Sequence, residues 1–202
     1  MPDHAETLGG RLPLLDPATL TAEQREIYDR QDRTMIPWAK TSGFRGKAND
    51  GRLIGPFNPV LLSPGITPCF LDLQEAEAKH TTLSERVRQV VILVVGAVWK
   101  SDYELYAHSA VARKAGISEG AIRTLAAGGL PDDLIDHEKI AQRYARQLSV
   151  EHRVAAALYR AAEEASGRQG LVDIAYLVGI YYIVCGLLNG FEIPAPDRPV
   201  SP

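Results

Sequence analysis

Glu104 and His108 stand four residues apart in the run SDYELYAHSAVARKAGIS, residues 101–118. On an α-helix that spacing puts both side chains on one face, about 6 Å apart along the axis at a rise of 1.5 Å per residue. A carboxyl group and an imidazole that share a proton form a tunable acid/base pair, because each stabilises the other's charged form and burial moves either toward neutrality. The residues SDYE, 101–104, also fit a capping box. In that reading Ser101 is the N-cap, Glu104 reaches back to the backbone, and His108 is a core histidine without chemistry. Two ligands at i and i+4 do not complete a metal site and no third stands nearby in sequence, so no metal is expected.

The pair must be held by helices. The preceding segment, LSERVRQVVILVVGAVWK, is apolar on nearly every side through VVILVV at 90–95 and therefore belongs at the centre of a bundle. Ser84 can cap a helix running to about Trp99, and Ser101 another running to about Ala115, where Gly116 stops it. Ser118 can cap a third, ending at Gly128 and Gly129. Pro131 and the acidic DDLID open a helix through about Gln147, Ser149 starts one ending near Ser166 and Gly167, and the last runs from about Leu171 to Asn189. Pro194, Pro196 and Pro199 forbid continuation. No convincing period-2 strand pattern occurs, so the fold class is all-α.

Residues 1–80 read differently. Thr21 and Gln24 mark the start of one amphipathic helix to about Arg33. From Met35 to Pro68 the glycines and prolines are too frequent for long regular elements. Trp38, Phe44, Phe57 and the run VLL at 60–62 nevertheless call for a packed environment. The expected organisation is an irregular N-terminal arm (1–80) of one helix and packed loops, a helical core (81–195) and a tail (196–202).

The chain has 202 residues, 22 Lys plus Arg against 25 Asp plus Glu, and a net charge of −3, with no basic run, so no nucleic-acid partner is expected. With 46% hydrophobic and 23% charged residues it has an ordinary globular composition. Cys69 and Cys185 form no CxxC motif, which argues against a disulfide framework or a four-ligand zinc site. The starting segment MPDHAETLGGRLPLLD has acidic residues and no long apolar stretch, so no secretory signal is read and a cytoplasmic location is expected. Ile174–Leu188 is shorter than the roughly 20 residues of a membrane span and reads as a buried helix, so no membrane partner is expected.

The run YELYAHSAVARKAGIS resembles the motif helix of the carboxymuconolactone decarboxylase and alkyl hydroperoxidase D (AhpD)-like superfamily. The AhpD branch reads Cys-x-x-Cys-x-x-x-His with a glutamate twelve residues before the first cysteine. Aligned on His108, the pattern puts Glu104 at the second cysteine, Ser101 at the first and Gln89 at the upstream glutamate. LSERVRQVVILVVGAVWK resembles the helix before the motif, and GPFNPVLLSPGI, 55–66, the loop that precedes the core in longer members. LVGIYYIVCGLLNGFEIP, 177–194, resembles the closing helix of the decarboxylase-like branch, with Asn189 and Phe191. The resemblance implies an AhpD-like helical bundle, a homo-oligomer (trimer or hexamer) and functional roles for Glu104 and His108.

Peroxide reduction of the AhpD kind requires a thiolate and a resolving thiol, which Ser101 and Glu104 cannot supply. Decarboxylation of a small carboxylated or lactone metabolite instead requires a pocket, a way to accept negative charge and a proton donor for the resulting enolate, with no cofactor. His108 is the expected donor and Glu104 its orienting or proton-holding partner; isomerase or other lyase chemistry is equally compatible. Expected substrate-binding residues are Gln89, Trp99, Ser101, Tyr103, Tyr106 and Asn189, with Tyr181 and Tyr182 as further wall candidates. Arg86, Arg88 and Arg113 could attract a carboxylate. Two alternatives stand beside this reading: an atypical thiol peroxidase, and a non-catalytic oligomeric binding protein.

Overall fold

The computed structural model describes residues 8–196. The last six residues, which include Pro199 and most of the expected tail, lie outside the described residues, as do the first seven, part of the segment on which the cytoplasmic expectation rests. Among the described residues there are eight α-helices and no strand: α1 Ala22–Arg33, α2 Met35–Ser42, α3 Thr67–His80, α4 Glu85–Trp99, α5 Asp102–Lys114, α6 Glu119–Ala126, α7 Asp136–Glu151 and α8 Ala156–Gly190. The all-α class expected from the sequence is the class observed.

Helix α4 is the axis of the fold. Val90 to Val95 are all at most 3% exposed, surrounded by apolar side chains of α6, α7 and α8. Each such aliphatic side chain contributes about 1.5–3 kcal/mol on burial, so the sequence VVILVV commits this helix to the centre. A second apolar cluster joins Ile27, Phe44, Phe57 and Leu71 to Tyr103, Val111 and Leu188. Through it the N-terminal segment packs on α5 and the end of α8. The Asp173 carboxylate, which accepts from the Thr82 backbone N–H at 2.8 Å and its hydroxyl at 2.7 Å, ties the α3–α4 connection to α8.

Several elements differ from expectation. Among the described residues, 8–80 contain three α-helices and three short 3-10 turns rather than one helix and loops. Pro37 and Pro68 fall in the first turns of α2 and α3, where a missing N–H breaks no intrahelical bond, so these prolines start helices instead of preventing them. Helix α7 begins at Asp136, later than Pro131, and runs to Glu151, so Ser149 lies buried in its last turn rather than capping the next helix. The expected boundary at Ser166–Gly167 is a kink: Gly167 has φ 67° and ψ 172° inside a helix that otherwise runs from Ala156 to Gly190.

Candidate active site

Helices α4 and α5 bring the chemistry together. Ser84 fixes the start of α4 by accepting from the Val87 N–H at 3.3 Å, which aims Glu85, Arg88 and Gln89 along one face. Lys100, at φ 51°, makes the turn into α5. Gly96 lets the two helices close: a Cβ there would lie 3.1 Å from Leu105 and 3.3 Å from Glu104 Cγ. Ser101 occupies the N-cap position of α5 without a side-chain cap bond. Glu104 does not cap the helix; it is buried beside His108.

His108 Nε2 lies 3.3 Å from Glu104 Oε1, and its Nδ1 lies 2.8 Å from Gln89 Oε1. The Gln89 amide nitrogen donates to Glu85 Oε1 at 2.8 Å, which leaves the Gln89 oxygen to accept from the ring. Nδ1 therefore carries the hydrogen and Nε2 turns its lone pair toward Glu104. Arg88 completes the row, donating to Glu77 at 2.6 Å and 3.2 Å and to Glu85 at 2.6 Å. Burial pushes the Glu104 carboxyl up to about 8. Burial, reinforced by the Arg88 charge, pushes His108 down to about 3. Near neutral pH the acid proton thus sits on Glu104 and the imidazole is neutral.

His108 lies at the seam of two cavities. The outer one, about 760 Å³, runs between α1–α2, α3 and α5 and has Arg30, Trp38, Glu77, Arg88 and Gln89 among its walls. The inner one, about 50 Å³, is lined by Glu104, Tyr103 and rings from the N-terminal segment. His108, Trp38, Tyr181, Leu71, Met35 and Gln74 border both. The His108 ring meets the Tyr181 ring edge-on, with centroids 4.9 Å apart, and lies 6.2 Å from that of Trp38.

Of the expected substrate-binding residues, Gln89 and Tyr103 line these cavities. Trp99, Ser101, Tyr106 and Asn189 line neither. Asn189 donates to the Trp99 carbonyl at 2.6 Å, and the Trp99 ring packs on Tyr182, so these three join α4 to α8. The Tyr106 hydroxyl accepts from the Arg45 N–H at 3.1 Å. Ser101 is fully buried beside the Cys185 thiol, whose burial raises its pKa and which the serine hydroxyl partly offsets. Arg86 binds Glu138 and the Gly116 carbonyl, and Arg113 binds Glu119. Only Arg88 of the three candidate arginines reaches the cavity. Met35, Trp38, Leu71, Gln74 and Glu77 were not foreseen as site residues; the one signal was an aromatic in a segment that a mere linker would not require. Among the described residues no group of three or more His, Cys, Asp or Glu side chains is arranged to hold a metal.

The sequence model of the carboxymuconolactone decarboxylase family matches residues 64–147, which span α3 to most of α7. Among solved structures, the AhpD-core, peroxidase-related protein of Ralstonia eutropha JMP134 is similar at TM-score 0.72 and 18% identity, over 94% of this chain and 93% of that one. A peroxidase-related protein of Silicibacter sp. TM1040 gives 0.71 at 13% identity, over 98% and 96%. A variant of the debrominase Bmp8 in complex with 2,3,4-tribromopyrrole gives 0.67 at 12%, over 96% and 95%. No curated protein matches the chain. The fold is that of the AhpD-like helical proteins.

Proposed function

We propose that this protein is an acid/base enzyme of the superfamily's decarboxylase-like branch, acting without a cofactor on a small carboxylated or lactone metabolite. The observation that carries the reading is the buried Glu104–His108 pair, 3.3 Å apart at the seam between two cavities. In a decarboxylation the electrons of the carbon–carboxylate bond pass into an enolate, and the carbon then takes a proton. Glu104 stores that proton in this reading. His108 accepts no proton in the resting state; its neutral ring holds the carboxyl through Nε2 and is itself fixed by Gln89. Both ring nitrogens face protein groups, so the sequence-based role of His108 as direct donor gives way to a shared one, with Glu104 as the acid and His108 as its partner. The same pair can also abstract and return a proton, as an isomerase or other lyase requires.

The test is a turnover screen of small carboxylic acids and lactones with the wild type, His108→Ala and Glu104→Gln. Single removal of a general acid/base group lowers kcat by about 10²–10⁴-fold. A His108→Ala protein within a few-fold of wild type on the active substrate sinks the assignment. Because Glu104 must be protonated, kcat should fall as pH rises through about 8, and a rate still rising well above that pH argues against it.

Peroxide reduction, the chemistry in the names of two structural relatives, gains no support from this chain's residues. Ser101 and Glu104 stand at the expected thiol positions, and Cys69 is exposed on α3 while Cys185 is buried in α8. Peroxide consumption, if measured, should be no different in a Cys69→Ser, Cys185→Ser double variant. The proposed setting is cytoplasmic, and the proposed assembly is a homo-oligomer, a trimer or hexamer, formed through the exposed face of α8.

A further inference from the structure

Two buried oxygen atoms on different helices are short of partners, and their side chains line the same small chamber. Glu104 Oε1 on α5 meets only His108 Nε2, at 3.3 Å, and Gln31 Oε1 on α1 has no hydrogen-bond partner. Both residues are nearly inaccessible, at 2% and 1% exposure. Gln31 is anchored by its other end, since Nε2 donates to the Phe57 carbonyl at 3.2 Å; its oxygen is the atom left over. Native proteins rarely leave such atoms unpaired, because the lost hydration is not recovered. The rest of the lining is largely apolar, with rings from Phe44, Phe57, Phe70 and Tyr181. The chamber's volume of about 50 Å³ exceeds the roughly 10–15 Å³ that one water requires, and falls far short of the ~150 Å³ cavity that holds a benzene ring.

We propose that this inner chamber is a subsite for a hydroxyl group, held between Gln31 and Glu104. The hydroxyl donates to Gln31 Oε1, and its oxygen accepts the Glu104 carboxyl hydrogen, which leaves His108 Nε2 when the subsite is filled. A water supplies this group when the site is empty of substrate; a hydroxyl on the substrate supplies it when the body of that molecule fills the outer cavity. The shared border of His108, Trp38 and Tyr181 puts such a hydroxyl next to the reacting pair. The inference rests on Glu104 and His108 being that pair, and it narrows the substrate class to molecules with a hydroxyl or enol beside the reacting carbon.

High-resolution crystal structures of the wild type, with and without an ethanol soak, test it. The expected result is density for one oxygen within about 3.2 Å of both Gln31 Oε1 and a Glu104 oxygen. Ethanol carbons joined to that oxygen in the soaked crystals identify a hydroxyl subsite open to substrate, whereas an isolated oxygen unchanged by the soak identifies a fixed structural water and overturns the subsite. Gln31→Met, which keeps the side-chain volume, should lose the density while the remaining structure superposes. A chamber without oxygen density in both crystals, or Gln31 and Glu104 satisfied by protein groups, overturns the proposal. That failure is separate from the turnover result with His108→Ala, which stands or falls by itself.

Discussion

Burial drives Glu104 and His108 in opposite protonation directions, and both directions favour neutrality. Glu104 rises from an ordinary 4.5 to about 8, so across that interval the unfolded chain has released a proton that the folded chain keeps, and stability falls as pH rises. His108 drops from 6.5 to about 3, so as pH falls through that interval the unfolded chain binds a proton that the folded chain refuses, and stability falls again. From 4.5 to 6.5 the two slopes oppose, and the pair leaves a stability plateau there. Glu104→Gln should abolish the alkaline slope: between about pH 6 and about pH 9 the wild-type Tm should fall by on the order of 5 °C more than that of the variant. Equal Tm changes in thermal unfolding would show that Glu104 is ionised in the folded protein. The pair was legible in sequence because a four-residue spacing is a local property of one helix. Whether Glu104 capped that helix or faced His108 was not legible, since the answer depends on Gly96 admitting α5 against α4. Gln89 was reachable only through the family resemblance, because its bond to His108 spans 19 residues and two helices.

The elements around the pair are unevenly legible in the sequence, for one physical reason. Helices α4, α5 and α6 have serine N-caps and glycine or apolar punctuation in the sequence itself. The first eighty residues offered prolines and glycines whose meaning depends on position: Pro37 and Pro68 begin helices, while Gly55 makes room for a ring. Gly55 has φ 63°, and a Cβ there would fall 2.1 Å from Tyr103 Cζ. The Tyr103 hydroxyl in turn donates to the Arg45 carbonyl at 2.5 Å, so the loop, the tyrosine and the inner chamber form one packed unit. Gly55→Ala combines a left-handed backbone penalty with overpacking and should cost about 2–4 kcal/mol in denaturant unfolding. A loss below about 0.5 kcal/mol, the scale of neutral surface changes, would mean that the loop moves freely and does not shape the chamber. Trp99 and Asn189 illustrate the reverse error. Both had residue types suited to a pocket, yet their helix faces meet each other and weld α4 to α8.

At the scale of the molecule, α8 is the element that one chain leaves unfinished. By length and composition it is long and apolar enough to cross a membrane, yet only 44% of its most apolar window is buried in this fold. Tyr181 faces inward to the cavity, while Val172, Tyr176 and Ile183 are 53%, 57% and 48% exposed. These three fall with Gly179 and Gly186 at alternating spacings of four and three, which is one continuous stripe along a helix. Both glycines have open space where a Cβ would stand, so the stripe has low points as well as knobs. Such stripes can pack against one another in a set of copies around a three-fold axis, and water is a poor solvent for the alternative of leaving the stripe bare. The proposed homo-oligomer follows from that face, and Tyr176→Glu with Ile183→Glu should dissociate it. In sedimentation velocity at micromolar concentration, the wild type should run as a trimer or hexamer and the double variant as a smaller species with unchanged helical circular dichroism. A wild type that sediments as a monomer removes the proposed assembly, and the stripe then requires a different cover.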